Sequence, residues 1–183
     1  MSFMPFLSRH QSRALPPLMA ALLALGACTM AQPPAPPLPP LQKAPVLTTA
    51  DTDFVQKLND MDLTQIALAK SAQTNAARND IATLGATIVK DLTGNQTKLT
   101  TLVSAHAITL AAKPSTENQK TIDRIQHLHG TSFDRSYLRA LSRNATKMKP
   151  VLETEIATSK NADLVKLATD TKTMLATYAA QLK

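Results

Sequence analysis

Cysteine occurs once in this chain of 183 residues, tryptophan not at all and glycine only four times. A single cysteine excludes an internal disulfide. Aromatic residues make up 3% of the chain; with so few aromatics and turn glycines, a β-sandwich or β-barrel is a poor fit. No acidic residue precedes Asp51. The longest apolar stretch, Leu18 to Ala27, is about half the ~20 residues needed to span a bilayer as a helix. Gly-x-Ser-x-Gly, Glu-x-x-His and a Gly-rich phosphate loop are all missing, which removes the usual signatures of a hydrolase elbow, a metal site in a helical bundle and a nucleotide-binding loop.

What is present begins with the lone Cys28. Arg9 and Arg13 precede the apolar stretch, and the stretch closes with Leu25-Gly26-Ala27-Cys28. A basic start, about ten apolar residues and small residues before a cut site describe a secretory signal peptide. The last four residues resemble the bacterial lipobox, in which the cysteine is lipidated and becomes the mature N-terminus. A thiol capped by lipid also reconciles an unpaired cysteine with an oxidising compartment. Residues 1–27 are therefore expected to be a lipoprotein signal peptide, and the membrane is the expected partner of lipidated Cys28. Thr29 stands where lipoproteins kept at the inner membrane often carry Asp. By that resemblance the expected address is the bacterial envelope, on the outer membrane and facing the periplasm.

Seven prolines fall within residues 33–45. Such a stretch cannot be helix or central strand and favours extended polyproline conformation. Residues 28–50 are read as a flexible stalk reaching roughly 50–60 Å. Residues 51–183 then form one domain. Phe54, Leu58, Met61, Gln65, Leu68 and Ala72 recur at three or four and predict a helix over 51–73. Ile81, Leu84, Ile88, Leu92, Asn95, Leu99 and Leu102 do the same over 76–108, with Asn75 as its cap. Ser115 caps a short helix over 116–128, which ends at Gly130. Ser132 caps a segment striped by Phe133, Tyr137, Leu141, Ala145, Met148, Leu152 and Ile156, with a kink expected at Pro150. Asn161 caps a last helix in which Leu164, Leu167, Thr171, Met174, Leu175 and Tyr178 face inward. Four long helices and one short crossover helix make a bundle.

Four motifs carry a family resemblance over residues 51–183. They are Asp53-Phe54, Gln65-Ile66-Ala67-Leu68-Ala69, Ile88-Val89-Lys90-Asp91 and the run Gly130-Thr131-Ser132-Phe133-Asp134-Arg135-Ser136-Tyr137, which matches Gly-x-x-Phe-Asp-x-x-Tyr. The chain resembles the bacterial domain of unknown function 4142 family, ferritin-like helical proteins often labelled outer-membrane proteins. The resemblance implies an all-α, ferritin-like up-down four-helix bundle with a short extra crossover helix. It also implies inward carboxylates and histidines on the long helices. Here the family's Glu of the first helix corresponds to Gln65, and three family histidines correspond to Leu92 (after Asp91), Ala145 and Tyr178. A core holding two metal ions wants about four carboxylates and two imidazoles. The expectation is therefore no metal and no cofactor, with Asp91, Gln65, Asn95 and Tyr178 sharing an internal hydrogen-bond network.

The net charge of +7 is spread along the chain and points to no nucleic-acid partner. Arg135, Arg139 and Arg143 stand at i, i+4 and i+8, one stripe that can grip anionic groups. The leading expectation is a non-catalytic, lipid-anchored envelope protein that works by structure or interaction, with an envelope protein or anionic polymer as partner. A ferritin-like metal-binding protein or oxidase, and a module for anionic envelope polymers or lipids, are the competing expectations. The sequence leaves the oligomeric state open.

Overall fold

The computed structural model describes residues 46–181. Cys28, the signal-peptide segment and the proline-rich stretch through residue 45 lie outside the described residues. Five helices follow in order: α1 Thr49–Asn75, α2 Asn79–Ser104, α3 Thr116–Gln126, α4 Gly130–Thr158 and α5 Ala162–Gln181. No helix among the described residues is long and apolar enough to cross a membrane.

Hydrogen bonds between helix ends set the direction of each element. The start of α1 meets the end of α4, where Ser159 Oγ donates to Asp51 Oδ1 at 2.7 Å. The end of α1 meets the end of α3, where Asn75 Nδ2 donates to the Gln126 carbonyl at 2.8 Å. The α1–α2 corner meets the start of α4 through Asp134. Thus α1 runs up and α2 down. The chain then climbs back along α1 through α3, α4 runs down and α5 up. In space the ring is α1, α2, α5, α4, and every neighbouring pair is antiparallel. One long crossover, stiffened by α3, is what this order needs.

The helices form where the apolar stripes place them, and their ends show where local reading is insufficient. α1 starts two residues before the expected Asp51 because Thr48 and Asp51 make a capping box. The Asp51 backbone N–H donates to Thr48 Oγ1 at 3.1 Å, and the Thr48 N–H donates to Asp51 Oδ2 at 2.7 Å. Ser115 and Asn161 cap α3 and α5 as the sequence indicates. Asn75 does not cap α2. It ends α1, and the amides of Ala77 and Arg78 are instead taken by the two carboxylate oxygens of Asp134, at 3.1 and 3.3 Å. Nor does Ser132 cap α4, which begins at Gly130. Gly130 has φ +61°, a left-handed conformation open to glycine at little cost. α2 ends at Ser104 rather than 108, because Ala107 turns the chain at φ 54°. α4 runs unbroken through Pro150, whose ring lies on the exposed side.

The motif residues now have physical roles. Gly130 makes the turn into α4. Phe133, fully buried, stacks on Tyr137 with ring centroids 5.5 Å apart. Asp134 holds the amides of Ala77 and Arg78 in the corner before α2. Gly-x-x-Phe-Asp-x-x-Tyr is thus a corner that locks α4 to the α1–α2 turn. The core runs the length of the bundle, from Phe54 and Leu58 through Leu68, Ile88, Leu92 and Leu99 to Leu152, Leu164 and Tyr178.

α1 and α2 approach closely at Gly85. A Cβ there would lie 2.7 Å from the Ala69 carbonyl oxygen and 2.9 Å from Ala72 Cβ. Gly94 has nothing within 4 Å of the same position. Alanine has the higher helix propensity, so the two glycines should respond oppositely. Gly94→Ala is expected to stabilise by about 0.5–1 kcal/mol. Gly85→Ala is expected to destabilise by about 1–3 kcal/mol, because backbone must move to admit the methyl group. Urea unfolding of the two variants checks the pair of signs.

Candidate functional site

The interior polar groups come from three faces of the bundle. Asp62, with no exposed surface, projects from α1. Asn95 of α2 donates to Asp62 Oδ2 at 2.9 Å. Thr171 of α5 donates to its own helix at the Leu167 carbonyl, 2.8 Å away, and lies 3.4 Å from Asn95 Oδ1. One turn further along the α2–α5 seam, the Tyr178 hydroxyl donates to Asp91 Oδ2 at 3.0 Å. Gln65, one turn after Asp62 on α1, is 1% exposed. Its Oε1 has no protein partner, and neither do Asp62 Oδ1 and the Tyr137 hydroxyl.

These surroundings decide protonation. Burial pushes Asp62 up to about 8, and the single hydrogen bond from Asn95 only partly opposes it. Asp62 is therefore a neutral acid at neutral pH. Burial also raises Tyr137, and burial together with the Asp91 carboxylate raises Tyr178. Both phenols stay protonated. A second carboxyl pair closes the lower end of the bundle. Glu155 of α4 is pushed up to about 7 by burial and by the neighbouring Asp51. Burial acts upward on Asp51 too, but hydrogen bonds from Ser159 and Thr48 outweigh it and hold Asp51 below the usual carboxylate range.

The expected network is thus present in part. Asp91 and Tyr178 are joined, whereas Asn95 pairs with Asp62 and not with Gln65. Leu92 is fully buried among apolar neighbours. Ala145 is half-buried and shares with Tyr178 a groove of about 510 Å³ between α4 and α5. Gln65 lies on the other side, against α3 and α4. Gln65 therefore lines a different pocket from Ala145 and Tyr178. The donor set also fails a two-metal core. Asp62 and Asp91 are carboxyls, Asn95 and Gln65 are amides, and no imidazole joins them. Among the described residues no three His, Cys, Asp or Glu side chains come together in a way that could hold a metal ion. A ferritin-type metal pair does not fit these residues.

The arginine stripe divides as well. Arg135, Arg139 and Arg143 are all exposed. Arg139 borders the α4–α5 groove, and Arg143 borders the pocket that contains Gln65. Arg135 borders neither. Sequence reasoning missed Asp62 and Glu155. Asp62 stands four residues after Leu58 and three before Gln65, spacing that places it on the inward face. Nothing local marks Glu155, because its partner Asp51 is far away in sequence.

Fold and polar layer together define an all-α four-helix bundle with one crossover, built around neutral buried acids and amides. The family described as domain of unknown function (DUF4142) matches residues 36–183, and the chain belongs to that family. No curated protein and no solved structure matches the chain.

A raised folded-state pKa means that the folded protein holds a proton the unfolded chain releases. Asp62 thus contributes its full stability below the ordinary aspartate range, and that stability is lost as pH rises through about 8. Asp62→Asn keeps an acceptor for Asn95 and removes the ionisation. At about pH 9 this variant should be more stable than the parent by roughly 1–3 kcal/mol, the scale of burying an uncompensated polar group. At about pH 5 the difference should shrink or vanish. Thermal melts of both proteins across this range check the slope.

Proposed function

We propose that this protein is exported, anchored by lipid at Cys28 and non-catalytic, an envelope protein that presents a helical bundle on a proline-rich stalk and works by binding rather than by chemistry. The observation that carries the anchoring is the run Leu25-Gly26-Ala27-Cys28 behind a short apolar stretch and two arginines. Membership of the family supports the bundle as the working part. A non-catalytic role is supported by the interior chemistry. Its buried acids are neutral or turned to capping, its phenols are held protonated, and the positions where the family places ligands carry Leu92, Ala145, Tyr178 and Gln65. The outer membrane, facing the periplasm, is the proposed address, on the strength of Thr29 after the cysteine.

The stalk and anchor give the domain a physical context. Acyl chains contribute about 0.8 kcal/mol per buried methylene, and more than one chain is needed for stable attachment. A lipidated Cys28 supplies both without a membrane-spanning helix. The seven prolines of 33–45 are proposed as the spacer between anchor and bundle, since proline-rich sequence favours extended conformation.

Membrane fractionation followed by intact-mass spectrometry tests the anchoring. The expected mass begins at Cys28 and carries acyl groups. Cys28→Ser should leave the precursor unprocessed or release the domain to the soluble fraction. An unmodified N-terminus at a later residue contradicts the reading.

A further inference from the structure

Between α1, α3 and α4 lies a pocket of about 180 Å³. Arg124 of α3 faces Arg143 and Lys147 of α4 across it, and Gln65 of α1 and Asn144 of α4 also line it. Two amide atoms there are shut from solvent without protein partners: Asn144 Nδ2, a donor, and Gln65 Oε1, an acceptor. Gln65 is 1% exposed, so its amide cannot turn out to water. Buried polar atoms of this kind call for a bound partner. The cations call for negative charge, and two of the three are arginines suited to oxyanions. The acidic side chain in the lining is Glu117. It lies 3.7 Å from Lys147, with both side chains largely exposed, so it competes weakly and is free to swing aside.

We propose that this pocket binds a phosphomonoester. Its oxyanion oxygens take Arg124, Arg143, Lys147 and the Asn144 amide, and in the monoanionic ester, which prevails below its second pKa of about 6, the remaining P–OH donates to Gln65 Oε1. The pocket is smaller than the roughly 300–1,000 Å³ of sites for drug-sized ligands. It suits one phosphate and the carbons next to it, not a long polymer. The wall is drawn from three helices that meet only in the folded bundle, which separates it from the single-helix stripe of Arg135, Arg139 and Arg143. This proposal goes beyond the anchored-bundle reading and does not depend on Cys28.

Titration calorimetry at about pH 5, where phosphate keeps the proton that Gln65 would accept, tests it on the purified full chain in detergent with inorganic phosphate, sulfate and glycerol 3-phosphate. Saturable binding of one phosphate per chain is expected, with sulfate weaker because it offers no proton to Gln65. Arg143→Gln should weaken phosphate binding about tenfold or more, the scale of one charge-assisted hydrogen bond. Arg135→Gln should leave binding unchanged, and Glu117→Gln should tighten it. Circular dichroism confirms that each variant is folded. Retention on vesicles containing phosphatidic acid, competed by glycerol 3-phosphate, assigns the ester to a lipid. Binding of glycerol 3-phosphate without such retention assigns it to a soluble ester, and either result supports the pocket. Absence of saturable phosphate binding, sulfate binding as tight as phosphate, or equal losses in Arg135→Gln and Arg143→Gln would overturn the proposal.

Discussion

One carboxyl group with no exposed surface, Asp62, sits in the middle of the bundle, and the arrangement around it follows from the cost of putting it there. A lone ionised carboxylate in such a place costs a large part of the marginal stability of a small domain. Asp62 escapes that cost by keeping its proton and by accepting from Asn95. Asn95 in turn ties α2 to α1 and lies within reach of Thr171 on α5. A polar contact of this kind is a weak source of stability and a stronger source of register. It fixes which residues of α1, α2 and α5 lie level with one another, and the apolar layers on either side follow that alignment.

The two ends of the bundle are closed by the same chemistry used differently. At one end the Asp134 side chain accepts from the backbone amides of Ala77 and Arg78, in the corner just before α2. At the other, Asp51 and Glu155 face each other, Asp51 held below the usual carboxylate range and Glu155 raised to about 7. Each device joins elements distant in sequence: α4 to the α1–α2 corner, and the α4–α5 corner to the entry of α1. Gly85 completes the set by letting α1 and α2 backbones approach where any larger residue would force them apart.

This explains what the sequence revealed and what it hid. Apolar stripes are local and periodic, so five helices and most of their buried positions were legible, including Phe54, Leu92, Leu152 and Tyr178. Caps made within three residues, such as Ser115 and Asn161, were legible too. Asn75 and Ser132 misled because neither α2 nor α4 has a side-chain cap; the corner before α2 is held instead by Asp134, which arrives from α4. Asp62 was hidden by its type: an aspartate beside an apolar stripe reads as solvent-facing unless the stripe is taken to be wider than one row. The candidate pocket was only half visible. Arg143 stood out in a run along α4, but its partners Arg124 and Gln65 belong to α3 and α1, and their meeting depends on the crossover.

The central claim is that the polar interior is a hydrogen-bonded part of the core and not a metal centre. Differential scanning calorimetry of the protein with chelator, without chelator, and with added manganese or iron tests it most directly. A metal bound to the native state raises the melting temperature by linkage. The chelated, untreated and metal-supplemented transitions are expected to coincide. A clear fall in melting temperature on chelation, or a saturable rise with either metal, would contradict it.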